Sequence, residues 1–442
     1  MDSVRAFLKM NKGRWLWVAA VFFFAALVPE YVLPVLCLVA YGCTVRRSVP
    51  LQSTEKAILA YLVWMTIAIT YSGARISALT ILLPWVLFFF GSRMVHSQID
   101  NTDKLDALFF CGAASGGTVG AIAVLQMFLF HFGGRLRKTF NPFWHLLDMK
   151  VADLFMRLLP PSLAHLMPRT QFIAIADRAS GTFTNPLFLA LFLCMTVPFC
   201  TYCLLYFHGV GKKLFAAGCL LLSVGGIAVS YSRGPYLALG IVFVVLLFYG
   251  RKHALKLLVT GGTLLVGLSF VAGGVFRRLL TLFNGRDISV NTRSDIWKAC
   301  FEMLRGHWLF GYGTGVGNVR NLLHETYHIR QPHAHNLFLQ ILLENGIVGL
   351  ALFAAVLCLF VYNVYRLAKK GEKCRGLAVT LLASLAGFCA CSMTDYVFYG
   401  MKPLCFFVLL VALSSCAVRL YAHNEPKREP EQPTVKELVT QS

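Results

Sequence analysis

The chain is poor in charge, and acidic side chains are the scarcest part of it. Charged residues fill 14% of the 442 positions, with 20 Asp and Glu against 41 Lys and Arg. Hydrophobic residues fill 57%, and they stand in long blocks that a soluble protein of this length could not bury. The composition therefore excludes a soluble globular protein and predicts an all-α, polytopic membrane protein.

Other absences narrow the class further. The fourteen cysteines fall almost entirely inside apolar blocks, with only Cys300 in a long polar loop, so no disulfide framework is predicted. No charged residue stands deep within an apolar block, as the coupling site of a transporter would require. The basic residues are scattered between these blocks, which argues against nucleic acid as a partner. Their charge suits membrane lipids or a phosphorylated substrate.

Twelve apolar blocks are candidate membrane spans, although several are shorter than the ~20 residues of a usual bilayer crossing. They are Trp15–Val28, Tyr31–Val45, Ala57–Tyr71, Ile76–Phe90, Ala107–Phe132, Pro186–Phe207, Leu214–Tyr231, Pro235–Tyr249, Ala254–Ala272, Asn336–Tyr365, Leu377–Met393 and Pro403–Tyr421. The predicted organisation is five helices in residues 1–132, four in 186–273 and three in 336–421. Long loops at 133–185 and 274–335 separate them, and a polar tail at 422–442 is predicted to be disordered.

Lysine and arginine indicate the direction of the spans. If the N-terminus is cytoplasmic, every short loop on that side is basic, from Arg5 and Lys9 before the first block to Lys427 and Arg428 after the last. The positive-inside rule favours this orientation, and long loops cross a membrane regardless of their charge. Both termini are therefore predicted to be cytoplasmic, with both long loops on the outer side.

Two arginines stand in motifs that would fix their position on the outer face. Ser232-Arg233-Gly234-Pro235 makes a tight turn between two blocks, and snorkelling of Arg233 to lipid headgroups is the alternative. In the second loop, Thr292 and Asp295 have the spacing of a capping box, which predicts a helix start with Arg293 in its first turn. There the side chain and free backbone N–H groups could face one anion, and a solvated helix arginine is the alternative.

Glycine and histidine clusters in the second loop suggest known sites but do not match them. The run from Gly311 to Gly317 fits neither of the nucleotide-binding glycine patterns, and it predicts a flexible turn that folds against a substrate. His324 and His328 have helical spacing, but no His-Glu-x2-His pattern accompanies them. No metal site is therefore predicted.

His335 stands where the second loop enters an apolar block, in the pattern His-Asn-x9-Gly-x2-Gly that ends in Gly346 and Gly349. These glycines are expected to let a neighbouring helix approach closely. An imidazole of pKa ~6.5 can take a proton from a hydroxyl, and arginines bind phosphate oxygens bidentately. Arg233, Arg293 and His335 together predict a site for a pyrophosphate and a hydroxyl. Because pyrophosphate leaves as a stable anion and arginines can neutralise it, no metal or other cofactor is predicted.

In these residues the chain resembles the O-antigen ligase family, membrane glycosyltransferases that join O-antigen to lipid A-core. His335, Asn336, Gly346 and Gly349 meet the family's ligase motif in full. Arg293-Ser-Asp-Ile-Trp297, followed by Trp308-Leu-Phe-Gly-Tyr-Gly313, is similar to its outer-loop signature. Arg178-Ala-Ser-Gly-Thr-Phe183, Asn185-Pro186 and the Arg233 turn are also similar to family patterns. The family's Arg-x3-Leu element fits Arg278 to Leu282, whereas Arg293 has Trp297 at the fourth place; Arg293 is preferred.

The resemblance implies a fold like that of the C-type glycosyltransferases, with about twelve transmembrane helices in the bacterial inner membrane. It implies inverting, metal- and ATP-independent transfer of polysaccharide from undecaprenyl pyrophosphate to a sugar hydroxyl of lipid A-core, at the periplasmic face, to complete lipopolysaccharide. Arg233 and Arg293 would hold the pyrophosphate, and His335 would activate the hydroxyl. Further contacts to substrate are expected from a second set of residues, namely Arg178, Arg278, Arg286, Asn336 and Asp395.

Three alternatives stay open. An O-antigen polymerase or a protein O-oligosaccharyltransferase of the same superfamily would use the same chemistry. Polymerases usually show the His-Asn-x9-Gly pattern less cleanly, and protein ligases tend to carry an extra soluble C-terminal region. A non-enzymatic flippase or transporter would instead predict charged residues within the spans.

Overall fold

The computed structural model describes residues 13–45, 49–132, 178–249 and 288–423, with a few positions between 147 and 157. Throughout these residues the regular structure is helical, and no β-strand occurs among them. The predicted all-α class is confirmed.

The α-helices follow the apolar blocks closely. In the described ranges they are α1 (Trp15–Phe24), α2 (Val32–Thr44), α3 (Ser53–Thr70), α4 (Arg75–Gln98), α5 (Thr102–Phe132), α6 (Pro186–Tyr206), α7 (Val210–Val229), α8 (Arg233–Leu246), α9 (Ile288–Met303), α10 (Val316–Glu325), α11 (Leu337–Ala368), α12 (Glu372–Ser392) and α13 (Met401–His423). Short 3-10 turns follow α8 at Leu247–Tyr249 and precede α13 at Val397–Tyr399.

Seven of these helices are long and apolar enough to cross a membrane, namely α4, α5, α6, α7, α11, α12 and α13. Helices α1, α2 and α8 are apolar but shorter. A multi-pass membrane protein is therefore supported, while the number of twelve spans stays a prediction. The candidate span at 254–272 lies outside the described residues, as do the C-terminal tail, most of the first long loop and the start of the second.

Helix α6 forms the centre of the bundle. It packs against α5, α7, α8 and α12, and 94% of its most apolar window is buried. Four glycines of α5 permit the close approach of its neighbours, namely Gly112, Gly116, Gly117 and Gly120. A Cβ on Gly116 would lie 2.4 Å from Thr196 Oγ1 of α6, and one on Gly120 would lie 2.2 Å from the Leu222 carbonyl oxygen of α7. Such contacts between helix backbones are a principal source of helix association in membranes.

Helix α11 is broken at Gly346, where φ is 65° and ψ is −172°. The second part, 347–368, is about 33 Å long, which is enough to cross the ~30 Å hydrocarbon layer without the first part. The first part lies between two apolar clusters. Leu337 and Ile341 belong to the core of the bundle, whereas Leu339 and Leu343 pack with α9 and α10. The predicted span Asn336–Tyr365 therefore consists of two helical parts that meet at Gly346.

Helices α9 and α10 cover one end of the bundle, which we call the loop face. Their cluster is centred on Ile296, Cys300 and Leu323, all fully buried. Two side-chain hydrogen bonds hold the surrounding loops. Trp297 Nε1 donates to the Ala334 carbonyl at 3.0 Å, and the Tyr312 hydroxyl donates to the Met303 carbonyl at 2.7 Å. The loop face therefore fixes the segment that carries His335.

Candidate functional site

His335 and Asp395 form the centre of the candidate site, 60 residues apart in the sequence. Nδ1 of His335 lies 3.0 Å from Oδ1 of Asp395, and Nε2 lies 3.2 Å from Oε1 of Gln331. The His335 side chain is 21% exposed, whereas that of Asp395 is 7% exposed. The arrangement is an imidazole oriented by a buried carboxylate, with its second nitrogen directed to a displaceable polar side chain.

Asp395 is an ionised carboxylate at neutral pH. Burial raises its pKa, but the hydrogen bond from His335, the charges of His333 and His335 and the Tyr396 backbone N–H together lower the pKa to about 2. The Tyr396 N–H donates to the same Oδ1 at 2.8 Å. A carboxylate that is stable in its charged form can orient His335 and stabilise its protonated form.

The backbone of His335 is in the left-handed region, with φ of 49°. L side chains rarely adopt this conformation, which is retained only where the surroundings enforce it. The next residue, Asn336, caps α11: its Oδ1 accepts the Leu339 N–H at 3.1 Å, and its Nδ2 donates to the Met393 carbonyl at 3.3 Å. These contacts give Asn336 a structural role, and the substrate contact expected of it stays a prediction.

His333 packs directly against His335, with ring centroids 4.4 Å apart. Its Nδ1 lies 3.3 Å from the His335 backbone nitrogen and 3.7 Å from Oδ1 of Asp395. Burial is the main cause that lowers the pKa of His333 to about 4. The charge of Asp395 opposes this shift, and the charges of His335 and Arg293 add to it. His333 is therefore neutral near pH 7.

His333, His335 and Asp395 also place three possible ligand atoms within 4.8 Å of one another. Such a set could hold a divalent ion, although the charge of Arg293 opposes one. The absence of a metal thus stays a prediction. Within the described ranges, His324 and His328 belong to no such group.

Arg293 lies on α9, and the charge of its side chain lowers the pKa of His333. The expected position in the first turn of that helix is wrong. The backbone is already helical from Ile288, so Thr292 and Asp295 are interior residues and do not form a capping box. The N–H groups around Arg293 are therefore engaged in the helix, and only its side chain can face an anion.

The Arg233 turn lies against the turn that carries Asp395. Arg233 is the first residue of α8. A Cβ on the following Gly234 would lie 2.4 Å from Thr394 Oγ1, so the two turns touch at the residue next to Asp395. Arg178 fixes the preceding segment, donating from Nε to the Ser230 carbonyl at 2.8 Å and from its terminal nitrogen to Ser232 Oγ at 2.6 Å.

The sequence model of the O-antigen ligase family matches residues 218–354. This part of the chain is similar to the O-antigen ligase family. The match runs from α7 into α11 and includes Arg233, Arg293 and His335. A comparison with curated protein sequences found no match. The match indicates similarity to the O-antigen ligase and polymerase superfamily, whose members are glycosyltransferase-like.

The two glycines of the ligase motif have different roles. Gly349 lets a neighbouring helix approach, as predicted: a Cβ there would lie 3.2 Å from the Trp64 ring of α3. For Gly346 the same prediction is wrong, because its neighbour is a loop. A Cβ on Gly346 would lie 2.1 Å from the Leu309 carbonyl oxygen. The Ile347 N–H, left without a helical partner by the break, donates to the Trp308 carbonyl at 2.9 Å.

The glycine run of the ligase-family domain contacts protein rather than open space. The conformation is left-handed at Gly313 and Gly315, which pack on the turn between α3 and α4; Cβ atoms there would lie 2.6 Å from Ser72 and 2.8 Å from Ala78. The Gly315 N–H donates to the buried carboxylate of Glu344 at 3.0 Å. The predicted folding against a substrate is replaced by docking onto the bundle.

A buried polar chain links this glycine run to the candidate base. Gln340 donates to Glu344 Oε1 at 2.6 Å and accepts the Ala334 N–H at 2.9 Å. Both side chains are essentially buried. Sequence reasoning gave no role to His333 or Gln331. Arg278 and Arg286 lie outside the described residues, so the assignment of the family's loop arginine stays a prediction.

Proposed function

We propose that the chain is an O-antigen ligase that transfers polysaccharide from undecaprenyl pyrophosphate to a sugar hydroxyl of lipid A-core. One observation carries the proposal, the 3.0 Å contact between the partly exposed His335 and the buried Asp395. A carboxylate that accepts the Nδ1 hydrogen selects the tautomer in which Nε2 has a lone pair and is an acceptor. In this tautomer Gln331 turns its amide N–H group to Nε2, because its Oε1 can contact that nitrogen only when the nitrogen carries a hydrogen. Nε2 of His335 is then the general base for an incoming hydroxyl.

The reaction follows from this tautomer. The acceptor hydroxyl takes the place of the Gln331 amide at Nε2 and donates its hydrogen there. Its oxygen attacks the anomeric carbon of the donor sugar from the face opposite the pyrophosphate. The new glycosidic C–O bond forms as the bond to the phosphate oxygen breaks, so the configuration inverts and the pyrophosphate leaves with the electron pair. Asp395 stabilises the resulting imidazolium, which later releases its proton to water.

In this mechanism Arg233 and Arg293 bind the pyrophosphate. The contact between Gly234 and Thr394 supports this role for Arg233, and the effect of Arg293 on the pKa of His333 supports it for Arg293. Because guanidinium groups neutralise the charge that develops on the leaving group, no metal or ATP is required. We assign Arg178 to holding the Arg233 turn, since its donors are engaged with Ser230 and Ser232.

The proposed location is the bacterial inner membrane, with the loop face in the periplasm and both termini in the cytoplasm. The basic short loops support this orientation. The length of 347–368 supports it further, because a helix of that length would cross the bilayer below the site and would leave His335 in the interfacial layer. There one base can serve both a lipid-borne donor and a lipid-borne acceptor.

The test is complementation of a ligase-deficient strain with the parent chain, His335→Ala or His324→Ala. His324 is an exposed histidine of the same loop face and serves as the matched control. The parent and His324→Ala should restore long-chain lipopolysaccharide on a gel, and His335→Ala should not. Loss of the base should lower the rate by about 10²- to 10⁴-fold. Restoration by His335→Ala at equal expression would refute the assignment.

The polymerase alternative is tested by the same family of strains. If the parent restores nothing in the ligase-deficient strain but changes chain length in a polymerase-deficient one, the chain is a polymerase. Glycan attached to a protein in place of lipid A-core would identify a protein O-oligosaccharyltransferase. Movement of lipid-linked glycan without any new glycosidic bond would identify a flippase.

A further inference from the structure

His333 is as buried as Asp395 and is the less exposed of the two histidines at the candidate site. Its side chain is 7% exposed against 21% for His335. Its ring contacts those of Tyr396 and Tyr399 at centroid distances of 5.7 and 5.2 Å. A side chain enclosed in this way cannot reach an acceptor hydroxyl, so any effect of His333 on the reaction must act through its neighbours.

The nearest neighbour is the backbone of His335. The His335 N–H points to Nδ1 of His333 at 3.3 Å, and this hydrogen bond requires an unprotonated Nδ1. His333 must then carry its hydrogen on Nε2. Burial favours such a neutral ring, and so does the charge of Arg293 on α9.

The same hydrogen bond supports an unfavourable backbone conformation. With φ of 49°, His335 needs external contacts to remain in the left-handed region. One contact on each side supplies them: the Ala334 N–H donates to Gln340 Oε1, and the His335 N–H donates to His333. These two bonds set the direction in which the imidazole of His335 leaves the chain.

A neutral His333 also leaves Oδ1 of Asp395 to accept a hydrogen bond from His335. Nδ1 of His333 is 3.7 Å from Asp395 Oδ1, the atom that Nδ1 of His335 approaches to 3.0 Å. A protonated His333 would donate to that oxygen and compete with His335 for it. An unprotonated Nδ1 cannot, so Asp395 accepts from His335.

We propose that His333 is a positioning residue of the transfer reaction, which holds His335 through its backbone N–H and leaves Asp395 to select the reactive tautomer of His335. This inference rests on the proposed function for its kinetic consequence. The structural part of it, the tautomers of two histidines, can be measured without any turnover.

The experiment compares His333→Asn with His333→Leu in the full-length protein. An asparagine amide places an acceptor close to the position of Nδ1, whereas leucine fills similar space with no acceptor. We expect His333→Leu to lower kcat by about 10- to 100-fold with the donor KM within twofold, and His333→Asn to recover to within about fivefold of the parent. The exposed His328→Leu controls for loss of a loop histidine.

Nitrogen NMR of histidine-labelled protein in detergent supplies the second readout. In the parent, the His333 signal should show an unprotonated Nδ1, and the His335 signal a protonated one; in His333→Leu, the His335 signal should shift towards a mixture of tautomers. The inference is overturned if Nδ1 of His333 carries the hydrogen in the parent. It is also overturned if His333→Leu changes neither kcat nor the His335 tautomer, or if His333→Asn is folded yet no better than His333→Leu. Transfer by His335→Ala would instead refute the proposed function and leave the tautomer result intact.

Discussion

Replacing Gly346 by alanine tests the break in α11. With φ of 65° and ψ of −172°, Gly346 occupies a backbone region that is almost exclusive to glycine, and a side chain there costs about 1–3 kcal/mol. The added Cβ would also lie 2.1 Å from the Leu309 carbonyl oxygen. Because the carbonyl oxygen is a main-chain atom, no change of side-chain rotamer relieves the clash. Displacing the Leu309 backbone costs about another 1–3 kcal/mol.

Gly371 is the matched control. Its φ of 124° and ψ of −179° impose comparable backbone strain, but a Cβ there meets nothing within 4 Å. The difference between the two alanine variants therefore isolates the contact with Leu309. The displaced loop would also weaken the hydrogen bonds from Ile347 to Trp308 and from Tyr312 to Leu343, at about 1 kcal/mol each. We expect Gly346→Ala to be less stable than Gly371→Ala by about 2–4 kcal/mol.

The assay is thermal unfolding of the purified proteins in one detergent, followed by tryptophan fluorescence and by recovery of monodisperse protein. At about 2 °C per kcal/mol, the apparent Tm of Gly346→Ala should fall roughly 4–8 °C below that of Gly371→Ala. Equal apparent Tm values would refute the argument, because they would mean that Leu309 does not hold the break. Loss of ligase activity in Gly346→Ala without any loss of stability would point instead to a direct part in the site.

Three further predictions concern the site. Asp395→Asn should lower kcat by about 10²- to 10⁴-fold with little change in KM, since the asparagine amide can donate to His335 and select the wrong tautomer; unchanged kcat in a steady-state assay would contradict the role of the carboxylate. Arg178→Lys, which cannot reach both the Ser230 carbonyl and Ser232 Oγ, should raise the donor KM about tenfold at unchanged expression, and an unaltered KM would argue against a fixed turn. Burial lowers the pKa of His333 from 6.5 to about 4, so protonation below pH 6.5 favours the unfolded chain. The free energy of unfolding should therefore fall by about 3 kcal/mol as the pH drops from 6.5 through 4, a pH dependence that His333→Asn should lack.

The helices could be predicted where local signals agree. For α6 the predicted start agrees with the structure, because Asn185 caps the helix and Pro186 occupies its first position, and the predicted end differs by one residue. Helix α4 runs to Gln98, well past the predicted end at Phe90. Its last turns are polar, but Arg93 pairs with Glu55 at 2.9 Å and His96 contacts Ser415 at 2.9 Å. Partners so distant in the sequence leave no local signal.

The candidate site also contains some residues that local sequence signals predict and others that only tertiary packing brings together. His335 could be found from its spacing to the motif glycines, whereas its pairing with Asp395 depends on how α12 and α13 pack, which no spacing encodes. His333 stands two residues away, yet its role depends on the sign of one backbone angle, φ of His335. The capping box at Thr292 was wrong because tertiary packing of Ile296, Cys300 and their neighbours stabilises a helix that begins earlier.

The main-chain contacts of the glycine run determine which parts of the loop face can vary in sequence. The loop face docks on the bundle through main-chain atoms, at Gly311 against α11 and at Gly313 and Gly315 against the α3–α4 turn. Main-chain contacts do not depend on which side chains the surrounding loop displays to solvent. Under the proposed function, substitutions on the exposed surface of α9 and α10 can therefore alter which glycan or acceptor binds, while the distance from the proposed base to the bilayer stays constant.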